Sequence, residues 1–257
     1  MIYLRKLVRD SKKIIEPELA ARRASRGDIK KPKDSLSWLD DVRGGRSFDV
    51  VSGQLFLTVA AIHTTSSVIT ATMYDLISNV GYILLLRDEI NRVYNEDGGW
   101  EKTSLYKLKL MDSCMKESQR MIILGPNMRN RYAEDDVTLP DGTLIRKSCP
   151  ITIPTLHMCD KKICGSNADD FMGIDFCFVS ISPEILSFGH GKHACPGRFF
   201  ASNEIKSALI HLLMKYDWDI VGKKPKSGSY RVPRRLWHTG LGHRRLISEA
   251  VKYGSDH

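Results

Sequence analysis

The 257-residue sequence has no internal repeat and no low-complexity tract, which excludes solenoid, propeller and fibrous architectures. It also lacks a disulfide framework. Its six cysteines, at positions 114, 149, 159, 164, 177 and 195, are irregularly spaced in a fairly long chain. The opening Met-Ile-Tyr-Leu-Arg-Lys is neither a secretory signal nor an anchor, so a reducing, intracellular compartment is expected. Cys159-x4-Cys164 has no second pair to complete a zinc site, and His157 is too crowded against it to serve. Charge is missing in two places. No Lys, Arg, Asp or Glu occurs from Val50 to Tyr74, and no acid from residue 221 to 248. The first stretch is long enough to span a bilayer, but Ser52, Gly53, Gln54, His63 and the run Thr64-Thr65-Ser66-Ser67 suit lipid poorly. The expectation is a long helix buried in protein, with no transmembrane anchor in this chain.

The chain is 42% hydrophobic, enough for one sizeable core or two small ones. Its formal charge of +9 is uneven: residues 1–33 hold eleven Lys/Arg against four acids, and residues 221–248 hold eight Lys/Arg. Neither block interleaves aromatics or shows helix-turn-helix or finger spacing, so the blocks read as solvated basic surface with no nucleic-acid partner. Helices are predicted over 3–25, Ser35–Asp41, Asp49 to about Val80 and Leu84–Tyr94. A further helix capped by Thr103 or Ser104 places Leu105, Leu108, Met111, Cys114 and Met115 on one face. Beyond Pro126, Val137–Leu139 and Leu144-Ile145 flank Pro140-Asp141-Gly142-Thr143 as a hairpin, and Ile151–Pro154 reads as extended. A last helix follows Cys195 to about Lys215, and Trp218–Val221 suggests a late strand. The fold class is mainly α with a small β component.

The chemistry concentrates in Phe188-Gly189-His190-Gly191-Lys192-His193-Ala194-Cys195-Pro196-Gly197. A thiolate at Cys195 would lie at a helix N-terminus, where free N–H groups and the dipole favour negative charge. Gly191 and Gly197 allow close backbone approach or positive φ, and Phe188 can shield one side of the sulfur. His193 or Lys192 can meet an anionic group on a ligand. These are the requirements of a thiolate ligand to haem iron. The pattern Phe-x-x-Gly-x-(Arg/His)-x-Cys-x-Gly resembles the haem loop of the cytochrome P450 family.

Two further motifs resemble that family in the correct order. Glu117-x-x-Arg120 shares one helical face and can pair. In the family this pair buttresses the haem-binding core together with a later arginine. The nearest match to that later segment, Asp170-Phe171-Met172-Gly173-Ile174-Asp175-Phe176, places Asp175 where the arginine would stand. The other motif is Ala60-Ala61-Ile62-His63-Thr64-Thr65. Adjacent threonines inside a helix ordinarily bond back to the preceding turn. In the family, Thr64 implies oxygen activation and His63 a proton relay, and histidine at this place resembles a fungal secondary-metabolism branch. Haem propionates need cations. The resemblance implies His193 and Arg131, with Arg129 the competitor for the second position.

What the resemblance implies is the incomplete, C-terminal, haem-binding half of a cytochrome P450-like fold. Residues 1–257 would be one partial domain, with 1–45 as a basic helical lead-in and 46–257 running from the oxygen helix through the haem loop. No Trp-x-x-x-Arg occurs at Trp38, Trp100, Trp218 or Trp237, so that family propionate contact is absent. Haem b, with Cys195 as axial thiolate, is the implied cofactor. A monooxygenase inserting one oxygen atom into an apolar small molecule, of terpenoid type, is the implied enzyme. Its electron donor would be NADPH–cytochrome P450 reductase, and full-length relatives are anchored at the endoplasmic reticulum membrane. Two alternatives stand beside this reading: an inactive truncated or mis-spliced remnant, and a basic helical interaction or nucleic-acid-binding protein.

Overall fold

The structure, a computed structural model, describes residues 2–24, 32–44, 46–101, 103–121, 129–153, 161–166, 170–172 and 177–220. The chain divides into two units, Met1–His63 and Thr64–His257. The first holds helices α1 (Ile2–Ala24) and α2 (Ser35–Arg43) and the opening half of α3 (Val50–Ser78). Side-chain caps explain where these helices begin. Asp34 accepts the Ser37 N–H at 2.9 Å, and Gly44 closes α2 in the left-handed region at φ 52°. Asp49 accepts the N–H groups of Val51 and Ser52 at 3.1 and 3.2 Å at the start of α3. Lys12 of α1 pairs with Asp49 at 2.9 Å, and this bond, with the Ser52 contacts, holds the Asp49 carboxyl down at about 2. Gly53 lets the Phe48 ring lie close against α3, where a Cβ would come within 2.8 Å of that ring and push it aside.

The second unit is built around α6 (Lys109–Met121), which the end of α3, α4 (Val80–Glu96), the short α5 (Ser104–Lys107) and α8 (Arg198–Lys215) accompany. Leu76, Ile83, Leu86, Ile90, Val93, Met111, Cys114, Met115, Ile205, Leu209 and Leu213 form one buried cluster with Phe178. The helix expected from Ser104 is interrupted at Leu108. The reason is Glu89 of α4, whose carboxylate accepts the Leu110 and Met111 N–H groups at 2.8 and 3.0 Å and so starts α6 afresh. The expected apolar face survives the break, with Leu108, Met111, Cys114 and Met115 all buried.

The predicted hairpin is present as β2 (Val137–Thr138) paired antiparallel with β3 (Leu144–Ile145). It sits inside a second pairing that was not expected, β1 (Arg129–Tyr132) against β4 (Pro150–Ile153), with Arg131 opposite Ile151. A four-residue helix, α7 (Lys161–Cys164), follows.

Two expectations need correction. The helix α3 is not buried throughout: Phe56 is 72% and Ile62 64% exposed, whereas Val68, Met73 and Leu76 are in the core. Burial is decided by what packs on a helix, and the hydrophobic cluster of the second unit takes in only its C-terminal part. The late strand is also absent over 216–220, where no partner strand is offered among the described residues. That segment is tied to the end of α8 instead: Trp218 Nε1 donates to the Leu212 carbonyl at 2.9 Å, and Arg87 donates to the Leu213 and Tyr216 carbonyls at 2.8 and 3.0 Å.

Asp112 of α6 and Lys206 of α8 form a wholly buried pair at 2.9 Å, and Lys206 also donates to the Leu105 carbonyl at 2.7 Å. Asp112→Ala strands that ammonium and lowers unfolding free energy by about 3 kcal/mol in urea titrations. Arg92→Ala, at the exposed pair Arg92–Glu96, changes it by less than about 0.5 kcal/mol.

Candidate functional site: the cysteine loop and its support

The loop from Phe188 to Gly197 is a series of tight turns ending at α8. Gly189 and Gly191 adopt φ of 76° and 63°, values that disfavour any side chain. The Gly189 N–H donates to the Leu186 carbonyl at 2.8 Å, and a single 3-10 turn spans Gly191–His193. The Cys195 N–H then closes the loop onto the Phe188 carbonyl at 2.7 Å, and Arg198 Nη1 donates to the Cys195 carbonyl at 2.8 Å. Cys195 itself is half-buried and free, just before the N-terminus of an 18-residue helix. A Cβ at Gly197 would meet only Cys195 Sγ, at 3.9 Å, and one at Gly191 nothing within 4 Å. The space that a Cβ at Gly197 would take is therefore clear, with a soft donor, the Cys195 sulfur, beside it. That donor and that space fit the approach of a flat, iron-bearing group. Phe188, Gly191, His193, Cys195 and Gly197 are thus assembled by one short segment, with His193 exposed at its outer edge.

Behind the loop lies α6. Glu117 and Arg120 form the expected pair, bidentate at 2.7 and 2.8 Å, and both side chains are buried. The place of the family's third partner, where the sequence carries Asp175 instead of arginine, lies outside the described residues. Backbone groups just before it contact the pair: the Met172 N–H donates to Glu117 at 3.2 Å, and Arg120 reaches the Asp170 carbonyl at 3.4 Å. Arg131 is exposed on β1, while the side chain of its competitor Arg129 lies outside the described residues. His63 and Thr64 occupy the exposed stretch of α3, and Thr65 is buried.

Two charged groups beside this framework escaped the sequence reading. Lys116, next to Glu117, is fully buried, and its ammonium donates to the Ser180 carbonyl at 2.6 Å. Burial pushes it down to about 8, opposed by Cys177. Its only signal was a lysine inside a run of core positions. Asp75 of α3 is also buried and faces α6, where desolvation pushes its carboxyl up to about 6. Ser118 and Arg120 favour its charged form and Glu117 opposes it, but Asp75 Oδ2 is buried with no hydrogen bond. Cys114, by contrast, is raised to about 12 by burial and by the nearby acids, so its thiol is inert.

A carboxyl raised from 3.8 to about 6 adds stability that is full below pH 3.8 and lost as pH rises through 6. Asp75→Asn removes this dependence. Its unfolding free energy relative to the parent rises by about 2 kcal/mol between pH 4.5 and 7.5 in chemical denaturation.

Comparison with known proteins agrees with this framework. The family model for cytochrome P450 matches residues 21–236. The chain is 41% identical over 241 residues to the cytochrome P450 monooxygenase esdpI of Penicillium shearii, covering 86% of this chain and 47% of that protein. It is 39% identical to the monooxygenase adrA of Penicillium rubens, over 84% of this chain and 46% of that protein. It is 37% identical to P450 monooxygenase 1 of Gibberella fujikuroi, over 90% and 56% respectively. The chain spans about half the length of these relatives. A family match over residues 21–236, a range that includes the cysteine loop and the α6 pair, means that the chain belongs to the cytochrome P450 family.

Proposed function

We propose that this chain carries the proximal, haem-binding part of a haem-thiolate monooxygenase acting on an apolar small molecule. The observation that supports this best is Cys195: a free, half-buried thiol at the head of α8, with open space on the side that Gly197 leaves clear. Haem b, when bound, supplies redox-active iron that activates dioxygen. Cys195 would hold its iron as a thiolate, stabilised by the free N–H groups at the start of α8. Phe188, Gly191 and Gly197 would shape the loop around the sulfur. His193 and Arg131 would meet the two propionates, and Glu117 with Arg120 would keep α6 in place behind the loop.

On α3, Thr64 would hold a proton at its hydroxyl for delivery and His63 would exchange protons with solvent. The side chains exposed beside them on the same helix, Val59 and Ile62, are apolar. NADPH–cytochrome P450 reductase would be the electron donor, and the endoplasmic reticulum membrane the site of the whole protein. The substrate class proposed is a terpenoid-type secondary metabolite, and residues 1–257 are taken as one incomplete catalytic domain.

The same exposed stretch of α3 favours a second reading, in which this chain alone binds haem but turns nothing over. Helix residues 56–64 that stay in contact with water cannot enclose a reaction. A reduced, carbon-monoxide difference spectrum tests the first claim. A thiolate-type Soret band is expected and is lost in Cys195→Ala, while a soluble preparation with no haem uptake overturns the proposal. Thr64→Ala keeps that band and lowers product formed per NADPH by about 10²-fold where turnover is measurable. Haem binding without any turnover selects the second reading.

A further inference from the structure

Lys116 is 2% exposed, in the middle of α6, and no carboxylate pairs with its ammonium among the described residues. A buried charge is costly unless its hydrogen bonds are met, and an apolar side chain of the same volume would fill the space at lower cost. Lys206 shows the ordinary solution in this same core, a carboxylate partner at 2.9 Å. Among the described residues, the hydrogen bonds and ring contact of the Lys116 ammonium all go to the segment that leads into the cysteine loop. It donates to the Ser180 carbonyl at 2.6 Å and approaches that of Phe178 at 3.4 Å. Its charge also lies 5.9 Å from the centre of the Phe188 ring.

Those contacts continue to the sulfur-bearing residue. The Phe178 ring is wholly buried and packs edge-on against Phe188, with centroids 5.1 Å apart. The Phe188 carbonyl in turn receives the Cys195 N–H at 2.7 Å. One cation therefore holds two carbonyls and one ring of the segment 177–188, and the last residue of that segment fixes Cys195. We propose that Lys116 is a positioning residue for the cysteine loop, holding residues 177–188 against α6 and thereby setting the placement of the Cys195 sulfur. Its consequence for haem ligation rests on the haem-thiolate reading; its effect on the loop does not.

The test separates the two. The haem-free chain is labelled with a maleimide, and the rate at each cysteine is read by mass spectrometry in the parent, Lys116→Met and Lys116→Arg. Cys195 in Lys116→Met is expected to label about tenfold faster, the size of effect that follows from losing hydrogen bonds to a charged group. Lys116→Arg, which keeps a cationic donor, is expected within about twofold of the parent. Exposed Cys149 keeps its rate and buried Cys114 stays protected in all three. An unchanged Cys195 rate in Lys116→Met overturns the proposal. So does a Lys116→Arg chain that behaves like Lys116→Met, or labelling of Cys114 in step with Cys195, because Lys116 would then be a general core residue. Haem titration of the same chains is a separate readout: in Lys116→Met a smaller share of bound haem gives the thiolate-type band. If the parent takes up no haem, the monooxygenase reading fails and the labelling result still decides the role of Lys116.

Discussion

The structure depends on one constraint: α6 is buried along its length from Met111 to Met121 and yet carries Asp112, Lys116, Glu117 and Arg120. Each of these charges must be met inside the protein, because none can reach water. Their partners therefore dictate what packs against the helix. Asp112 takes Lys206 and so secures α8. Glu117 and Arg120 satisfy each other and then hold the backbone at 170–172. Lys116 takes the carbonyls of 178 and 180. The helix works as a hub whose polar contacts are directional where its apolar contacts are not.

The cysteine loop gains its shape from this arrangement and from its glycines. Positive φ at Gly189 and Gly191 bends the chain back, and the Phe188–Cys195 hydrogen bond closes it immediately ahead of α8. Phe188 is held from behind by Phe178 and Lys116. The Cys195 sulfur is held in this way through its backbone, and the place a Cβ at Gly197 would take beside it is clear. Asp75 is a member of the surroundings whose charge is poorly met, and its carboxyl, raised to about 6 by burial, makes this part of the core sensitive to pH. The exposed part of α3 contrasts with this. Its apolar residues have found no cover among the described residues, in a chain that spans about half the length of its relatives.

The sequence alone determined the elements whose signals are local. Glycine spacing and a cysteine before a helical run marked the loop at Phe188–Gly197, and the i, i+3 relation marked Glu117 with Arg120. The turn Pro140-Asp141-Gly142-Thr143 marked the inner hairpin, whose strands pair as expected. The family followed from the order of these motifs.

Only the tertiary structure decided what depends on a distant partner. The interruption at Leu108 comes from Glu89, nineteen residues away, and is invisible to periodicity. The strand β1 exists because β4 returns to pair with it, and 216–220 stays irregular because no strand among the described residues receives it. The burial of α3 could not be judged from its composition, since an apolar helix is covered only where something packs on it. The same holds for Lys116 and Asp75. A lysine or an aspartate in a sequence reads as surface until the fold removes it from water, and its role is then set by the groups it meets there.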